Sequence, residues 1–434
     1  MHAIPTVPLE PMTDRYIRFG PYFEAFEYTD WVDESLSWKE TCYVGDWSPL
    51  MKFSVKGPDA LRFFSDITIN SLAVFDIGQA KHAVFPNSDG KVMGEGILMR
   101  MSEDELYFTS GPGAVWANYK FFSGGYDAQY TDYTAGRTIQ QVQGPTSLAV
   151  LEEACGESLR DIGFMRFREI AIDGMKACLL RQGIAGEVGY ELHGAWDEGA
   201  AVYDRIWQIG QKHGIRRLGG RTKMVNHVEA CFPTPTVDYV PAWYGFDEEE
   251  AFRAHVEGVG FLPYEYFQSH AGSHEGDHTE LYLTPTEMGW GRSIKLDHDF
   301  VGRAALESEV AEPRRVMRTL VWSAEDVGDV LMSLFRKDAE PYKVMEWPRE
   351  YLGRVVADKV LAAGEQVGLA TSRCYSYWFR EMLSLCVIDV AHAEPGTEVE
   401  VVWGDPGTRQ KHIRATVAPA PYKTDNRRAD VRAL

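Results

Sequence analysis

The stretch Arg181-Gln-Gly-Ile-Ala-Gly-Glu-Val-Gly-Tyr-Glu191 decides how this chain is read. The apolar run Lys176-Ala-Cys-Leu-Leu180 leads into it and reads as a buried strand. The strand then breaks into a loop carrying Gly183, Gly186 and Gly189. Glycine permits positive φ and lets the backbone approach a ligand closely. The loop ends on Glu187 and Glu191, the latter among Val188, Tyr190 and Leu192. A carboxylate in apolar surroundings needs a partner. A flat heterocycle with adjacent N–H donors would suit it. A hairpin turn ending in a solvated glutamate explains the same residues.

Composition narrows the class. At 434 residues the chain has room for about three domains. Its formal charge of −20 opposes nucleic-acid phosphates and anionic lipid, so neither nucleic acid nor membrane is expected as a partner. The cysteines at 42, 155, 178, 231, 374 and 386 form no Cys-x-x-Cys pair. They read mostly as buried free thiols of a cytosolic protein, with no metal site. Met1-His-Ala-Ile-Pro-Thr-Val-Pro lacks a signal-peptide pattern, and no apolar run reaches membrane-span length, so a cytoplasmic location is expected.

Along the chain, an aromatic, acidic lead-in occupies residues 1–35. Alternating runs at Lys52-Phe-Ser-Val-Lys56 and Leu106-Tyr-Phe-Thr-Ser110 read as strands. The pattern predicts helices over 58–64, opened by Gly-Pro, and over 200–213, ending at Gly214. Gly219-Gly220 opens no dinucleotide-binding fingerprint. His270, His274 and His278 share helical spacing, but Gly272, Ser273 and Gly276 interrupt it. A solvated loop is expected there rather than a metal site. From about residue 315, half-buried strands such as 316–322 and 398–402 alternate with Gly and Pro turns, which predicts a compact mostly-β domain.

Several segments, in order, resemble the aminomethyltransferase family, the folate-binding T-protein of glycine cleavage and its relatives. They are Lys56-Gly-Pro-Asp-Ala60, Gly78-Gln-Ala-Lys-His-Ala-Val-Phe-Pro-Asn87 with Asp89-Gly90, and Gln143-Gly-Pro145. The glycine-rich loop itself, His298-Asp-Phe-Val-Gly-Arg303, Thr371-Ser-Arg-Cys-Tyr-Ser376 and Ala391-His-Ala-Glu-Pro-Gly-Thr-Glu-Val-Glu-Val401 complete the set. Within the family, Thr319-Leu-Val-Trp-Ser-Ala-Glu-Asp-Val327, Gly289-Trp-Gly-Arg292 and Arg414-Ala-Thr-Val-Ala-Pro-Ala-Pro-Tyr422 look like one branch. That branch comprises the tetrahydrofolate-dependent O-demethylases of vanillate, syringate and 3-O-methylgallate. The resemblance implies an α+β fold with three domains around a central folate channel, the last a small β-barrel. The expected regions are 1–240 (folate-binding, two interleaved subdomains), 241–312 (completing the site) and 313–434 (barrel).

The resemblance also assigns roles. Glu191 matches the family's pterin-binding glutamate, and Glu95, in Met93-Gly-Glu-Gly-Ile-Leu98, the acid near the reactive nitrogens. Trp290 matches an aromatic that packs on folate. Arg221 could bind the cofactor's anionic tail. Val84 and Phe164 fall at further cofactor positions, whereas His82 and Ile184 replace family tyrosines. On the substrate side, Tyr22 matches a tyrosine of the demethylases. Asp46 stands where they carry glutamine, and their neighbouring histidine is missing. Lys223 or His227 could supply an acid, and Lys120 could pair with a substrate carboxylate.

The expected function is therefore tetrahydrofolate-dependent O-demethylation of a small methoxylated aromatic, giving a phenol and 5-methyltetrahydrofolate. Two alternatives stay open. One is a same-fold enzyme acting on an N- or S-methyl substrate, or a true aminomethyltransferase, which would have to dock a lipoyl carrier protein, a partner not expected here. The other is a folate-binding protein without catalysis.

Overall fold

The structure, a computed structural model, describes residues 2–3, 13, 15–19, 22–259, 270–348 and 355–433. Most of the N-terminal octapeptide and residues 260–269 of the expected region 241–312 lie outside them. Two large sheets, a closed barrel, two small sheets and the covering helices make an α+β molecule. The first sheet has five antiparallel strands in the order Ala80–Pro86, Val92–Arg100, Glu105–Ser110, Met51–Lys56, Gln129–Asp132. Helices Ala60–Ile67 and Pro112–Gly124 cover it through Phe63, Phe64, Val115 and Trp116. The first begins two residues later than the Gly-Pro pattern predicts. Gly57 and Asp59 are occupied in a turn, where Gly57 stands at φ +144 and the Asp59 carboxylate accepts from Asp127 N–H and Arg62.

The second sheet has six strands, ordered Phe167–Ile172, Met175–Leu180, Gly189–Ala195, Arg137–Gln143, Cys42–Asp46, Ile215–Arg217. Its helical cover includes Gly199–Gly210, continued by a 3-10 turn to His213 and stopped at Gly214 in the left-handed region, as the sequence predicts. The decisive loop is indeed a hairpin connection, with Leu180 opposite Glu191. Its glutamates, however, are buried. Among its three glycines only Gly186 has positive φ. Gly183 and Gly189 are required for room instead: a Cβ on either would meet the Gln143 side chain at 2.4 and 2.0 Å.

The barrel closes in the order Arg315–Trp322, Glu381–Asp389, Glu365–Ser376, Asp358–Ala362, Glu398–Trp403, Lys411–Ala418. Helix Gly220–Glu229 is the pillar between sheets and barrel. At its N-terminus the buried Glu34 carboxyl accepts from Gly219 N–H and Thr222 Oγ1, both at 2.8 Å, and burial raises its pKa to about 7. At its C-terminus Glu229 accepts from Trp38 Nε1 and barrel residue Ser376 Oγ, and pairs with buried Lys39 at 2.7 Å. An apolar cluster at this junction joins Val84 of the first sheet, Tyr43 of the second, Ile184 of the loop, Val225 of the pillar, and Leu383 of the barrel.

The chain beyond the barrel returns to the decisive loop. Lys423 Nζ donates to Gly186 C=O and pairs with Glu187, while Asn426 donates to both residues. His274, expected in a solvated loop, is 4 % exposed and lies ring to ring with His270 at 5.0 Å. Among the described residues no helix is long and apolar enough to cross a membrane.

Candidate active site

Local sequence explains how Glu95 is presented. Side chains alternate along a strand, so Gly94 and Gly96 share the face opposite Glu95. A Cβ at Gly94 would meet the Gly113 backbone at 2.2 Å, and one at Gly96 would meet Thr109 C=O at 2.3 Å. The glycines let helix Pro112–Gly124 and the next strand press against that face. Glu95 projects from the other, opposite Val84 in register. Its Oε2 lies 2.8 Å from His82 Nε2. The His82 ring meets Trp290 edge-on at 4.8 Å and lies 6.0 Å from Phe232. Tyr239 is fully buried beside Trp290, and its hydroxyl has no partner among the described residues. Burial and the Glu95 charge hold its phenol well above the usual range.

Phe232 links this group to a second one. Its ring lies 5.8 Å from His227, whose Nδ1 is 2.5 Å from Lys223 C=O. A carbonyl can only accept, so Nδ1 carries the proton and Nε2 offers a lone pair. Burial pushes the His227 pKa down to about 4, leaving the ring neutral at physiological pH. Lys223, one turn earlier, pairs with buried Glu24 and donates to Asp46 C=O at 3.0 Å. Its ammonium lies 4.8 and 4.4 Å from the ring centres of Phe19 and Trp47. Asp46 Oδ1 accepts from Ser48 N–H at 2.6 Å, whereas its buried Oδ2 has no partner among the described residues. Burial raises the Asp46 pKa to about 7. Burial and the Asp46 charge raise that of Tyr22, whose ring packs 5.7 Å from Trp196.

Glu191 forms the third part. Its Oε1 accepts from Gln141 Nε2 at 3.1 Å and from Gln182 Nε2. Gln141 in turn accepts from Tyr43 hydroxyl at 2.7 Å, which ties Glu191 to the junction cluster. His193 Nε2 lies 3.4 Å from Glu191 Oε2, and neither nitrogen of that buried ring makes a hydrogen bond among the described residues. Tyr107 hydroxyl and Gln143 Nε2 are likewise buried without partners there. Carboxylates, imidazoles and hydroxyls left open suit a polar heterocycle with both donors and acceptors on its edge.

The remaining expected residues are placed differently. Arg221 bonds Glu27 and Trp347 C=O, tying the N-terminal segment to residues preceding the barrel. Phe164 is covered by Arg428 of the C-terminal tail, 4.9 Å from its ring centre. Lys120 pairs with Glu248 at 3.0 Å beside Trp116, in the aromatic cover of the first sheet. The structure thus gathers Tyr22, Asp46, Lys223 and His227, and separately Glu95, Val84 and Trp290. Sequence reasoning missed Glu24, Gln141, Gln182, Phe232 and Tyr239. The one signal was Gln140-Gln-Val-Gln143, three amides in an otherwise buried strand.

Comparisons with known proteins agree with this architecture. Residues 14–244 match the GCVT N-terminal domain. Residues 353–423 match the glycine cleavage T-protein C-terminal barrel domain. The chain is 37 % identical over 416 residues to a sesamin methylene transferase of Sinomonas sp., covering 92 % of this chain and 90 % of that protein. It is 34 % identical over 420 residues to a syringate O-demethylase of Sphingobium sp., covering 91 % and 89 %. The aminomethyltransferase T of Bartonella henselae superposes with a TM-score of 0.70 at 18 % identity, over 95 % of both chains, and so shares the fold.

Proposed function

The chain belongs to the glycine cleavage T-protein family and uses tetrahydrofolate as a one-carbon transferase, and from that premise we propose that it demethylates a small methoxylated aromatic compound. The products are the phenol and 5-methyltetrahydrofolate. The observation that carries the reading is the chain of contacts from Glu95 through His82, Phe232, His227 and Lys223 to the backbone of Asp46, whose charge acts on Tyr22. One end suits a nitrogen acceptor and the other an ether oxygen.

Bound tetrahydrofolate supplies a nucleophilic nitrogen that accepts the one-carbon unit. Glu191, Glu95, Val84 and Trp290 would hold it. Glu95, oriented by His82, receives the proton released on the acceptor side. Trp290, Phe232 and the junction cluster exclude water, which strengthens the fixed dipoles around the reacting atoms. Tyr22 donates a hydrogen bond to the ether oxygen. His227, neutral, orients the substrate as an acceptor. The charge of Lys223 is matched by Glu24 and that of Lys120 by Glu248. This favours an uncharged ring over a benzoate. No lipoyl carrier protein takes part in this reaction.

A second reading, transfer of a methylene rather than a methyl group, is favoured by the identity to a protein named for methylene transfer from sesamin. One experiment separates the two. Protein and tetrahydrofolate are mixed with methoxylated and methylenedioxy aromatics, and the folate products are resolved by mass spectrometry. Methyl-folate supports the first reading and methylene-folate the second. Unchanged folate with every ether contradicts both.

A further inference from the structure

Breaking an aryl ether leaves negative charge on the phenol oxygen, and the side chains around Tyr22 differ in what they can give it. Lys223 is held by Glu24 and by the Asp46 carbonyl. His227 has spent its one N–H on the Lys223 carbonyl and is neutral. Tyr22 is a phenol itself and no stronger an acid than the leaving group, so it can bond the oxygen but gains nothing by protonating it. Asp46 remains. The Ser48 N–H is bonded to Oδ1, so a proton on the carboxyl sits on Oδ2, the buried atom without a partner among the described residues.

We propose that Asp46 is the general acid of this site, passing the proton on Oδ2 to the departing phenol oxygen. The assignment rests on the aryl-ether reading above. As the carbon–oxygen bond breaks, its electron pair stays on oxygen, and the Oδ2 proton forms the phenol O–H. The proton released on the acceptor side and taken at Glu95 balances it, and water returns one proton to Asp46. Transfer runs downhill, from a carboxyl with a pKa of about 7 to a phenolate whose conjugate acid lies near 10. The charged and titratable groups around Asp46 are Glu24, Tyr22, Tyr28, Lys223, Lys52 and Tyr203. Burial raises the Asp46 pKa, the Ser48 bonds and Lys223 lower it, and Glu24 raises it further.

The test is single-turnover transfer in wild type, Asp46→Asn and Tyr22→Phe, with aryl methyl ethers of graded leaving-group basicity. Asp46→Asn keeps the size and the Ser48 contact. The expected loss is about 10²-fold or more for basic phenols, shrinking for acidic ones. The wild-type rate should fall as pH rises through about 7, and this limb should vanish in the variant. In folate-free protein, infrared difference spectra should show a protonated-carboxyl band that shifts when a phenol binds and is missing in Asp46→Asn. That readout stands even if the variant is too unstable to assay. Wild-type rate and slope in Asp46→Asn, with the loss in Tyr22→Phe instead, would overturn the assignment and leave the demethylase reading intact. No transfer from any aryl ether in the wild type would sink that reading and the assignment with it.

Discussion

Glu191 and Asp46 lie on strands that flank the same neighbour, Arg137–Gln143, which sets Gln141 opposite Glu191 and Gln140 opposite Asp46. Both carboxyls are buried, at 6 and 3 % exposure, yet they are supplied differently. Glu191 receives two glutamine amides on one oxygen. Asp46 is served by Ser48, through its backbone N–H and its hydroxyl, and its second oxygen has no hydrogen bond among the described residues. Two amides on one oxygen fix Glu191 in place, as an anchor requires. Asp46, whose pKa burial raises to about 7, can hold a proton on its open oxygen until something nearby needs it more. Because Gln140 and Gln141 are consecutive, the two carboxyls point to opposite faces of the sheet.

The contrast can be broken by experiment, starting with its largest consequence. Asp46→Asn should cost about 10²-fold or more in the transfer step while tetrahydrofolate affinity, measured by calorimetry, stays near wild type. Parallel loss of both would erase the distinction. Glu191→Gln should do the reverse, weakening tetrahydrofolate by about 1.5–3 kcal/mol, the worth of charge-assisted hydrogen bonds, with little change in saturated rate. Unchanged affinity in a folded variant would remove Glu191 from the cofactor site.

The comparison sharpens if one carboxyl is converted toward the other. Gln141→Leu strips a donor from Glu191 and leaves Tyr43 hydroxyl without its acceptor. Cofactor affinity should drop by about 1 kcal/mol, and unchanged affinity would mean that Gln141 does not support the anchor. A further effect concerns folding. The Asp46 pKa is raised in the folded state, to about 7, from about 3.9 in unfolded chains. Its contribution to stability is therefore fully present below about pH 4 and is lost as pH rises toward 7. Asp46→Asn removes that decline. Its thermal unfolding curve should gain on wild type by roughly 1–3 kcal/mol between those pH values, and a constant offset would contradict the raised value.

Much of this frame was legible in the sequence because it rests on local signals. The strand 175–180, the helix ending at Gly214 and the barrel's Gly-Pro turns each declare themselves within a few residues. Glu95 stood out in the sequence through the family resemblance alone, and only the structure shows that its flanking glycines clear a close approach on the opposite face. What stayed hidden depends on distant partners. Gly183 and Gly189 look like turn residues but exist for Gln143, some forty residues away. Glu187 looks like a loop carboxylate but meets Lys423 from beyond the barrel. Lys120 and Arg221 look like free cations, and tertiary structure assigns them Glu248 and Glu27. The acid at Asp46 was hidden for the same reason: an aspartate before Trp-Ser-Pro says nothing of its burial or of its open oxygen.

The most direct test of the account follows the carbon itself. An aryl ether labelled with carbon-13 in its methoxy group is incubated with the protein and tetrahydrofolate, and the label is traced by NMR. The account predicts that the signal moves from the ether to a methyl on folate nitrogen, with one phenol formed per methyl transferred. A protein that binds tetrahydrofolate yet leaves the label on every ether offered would contradict it.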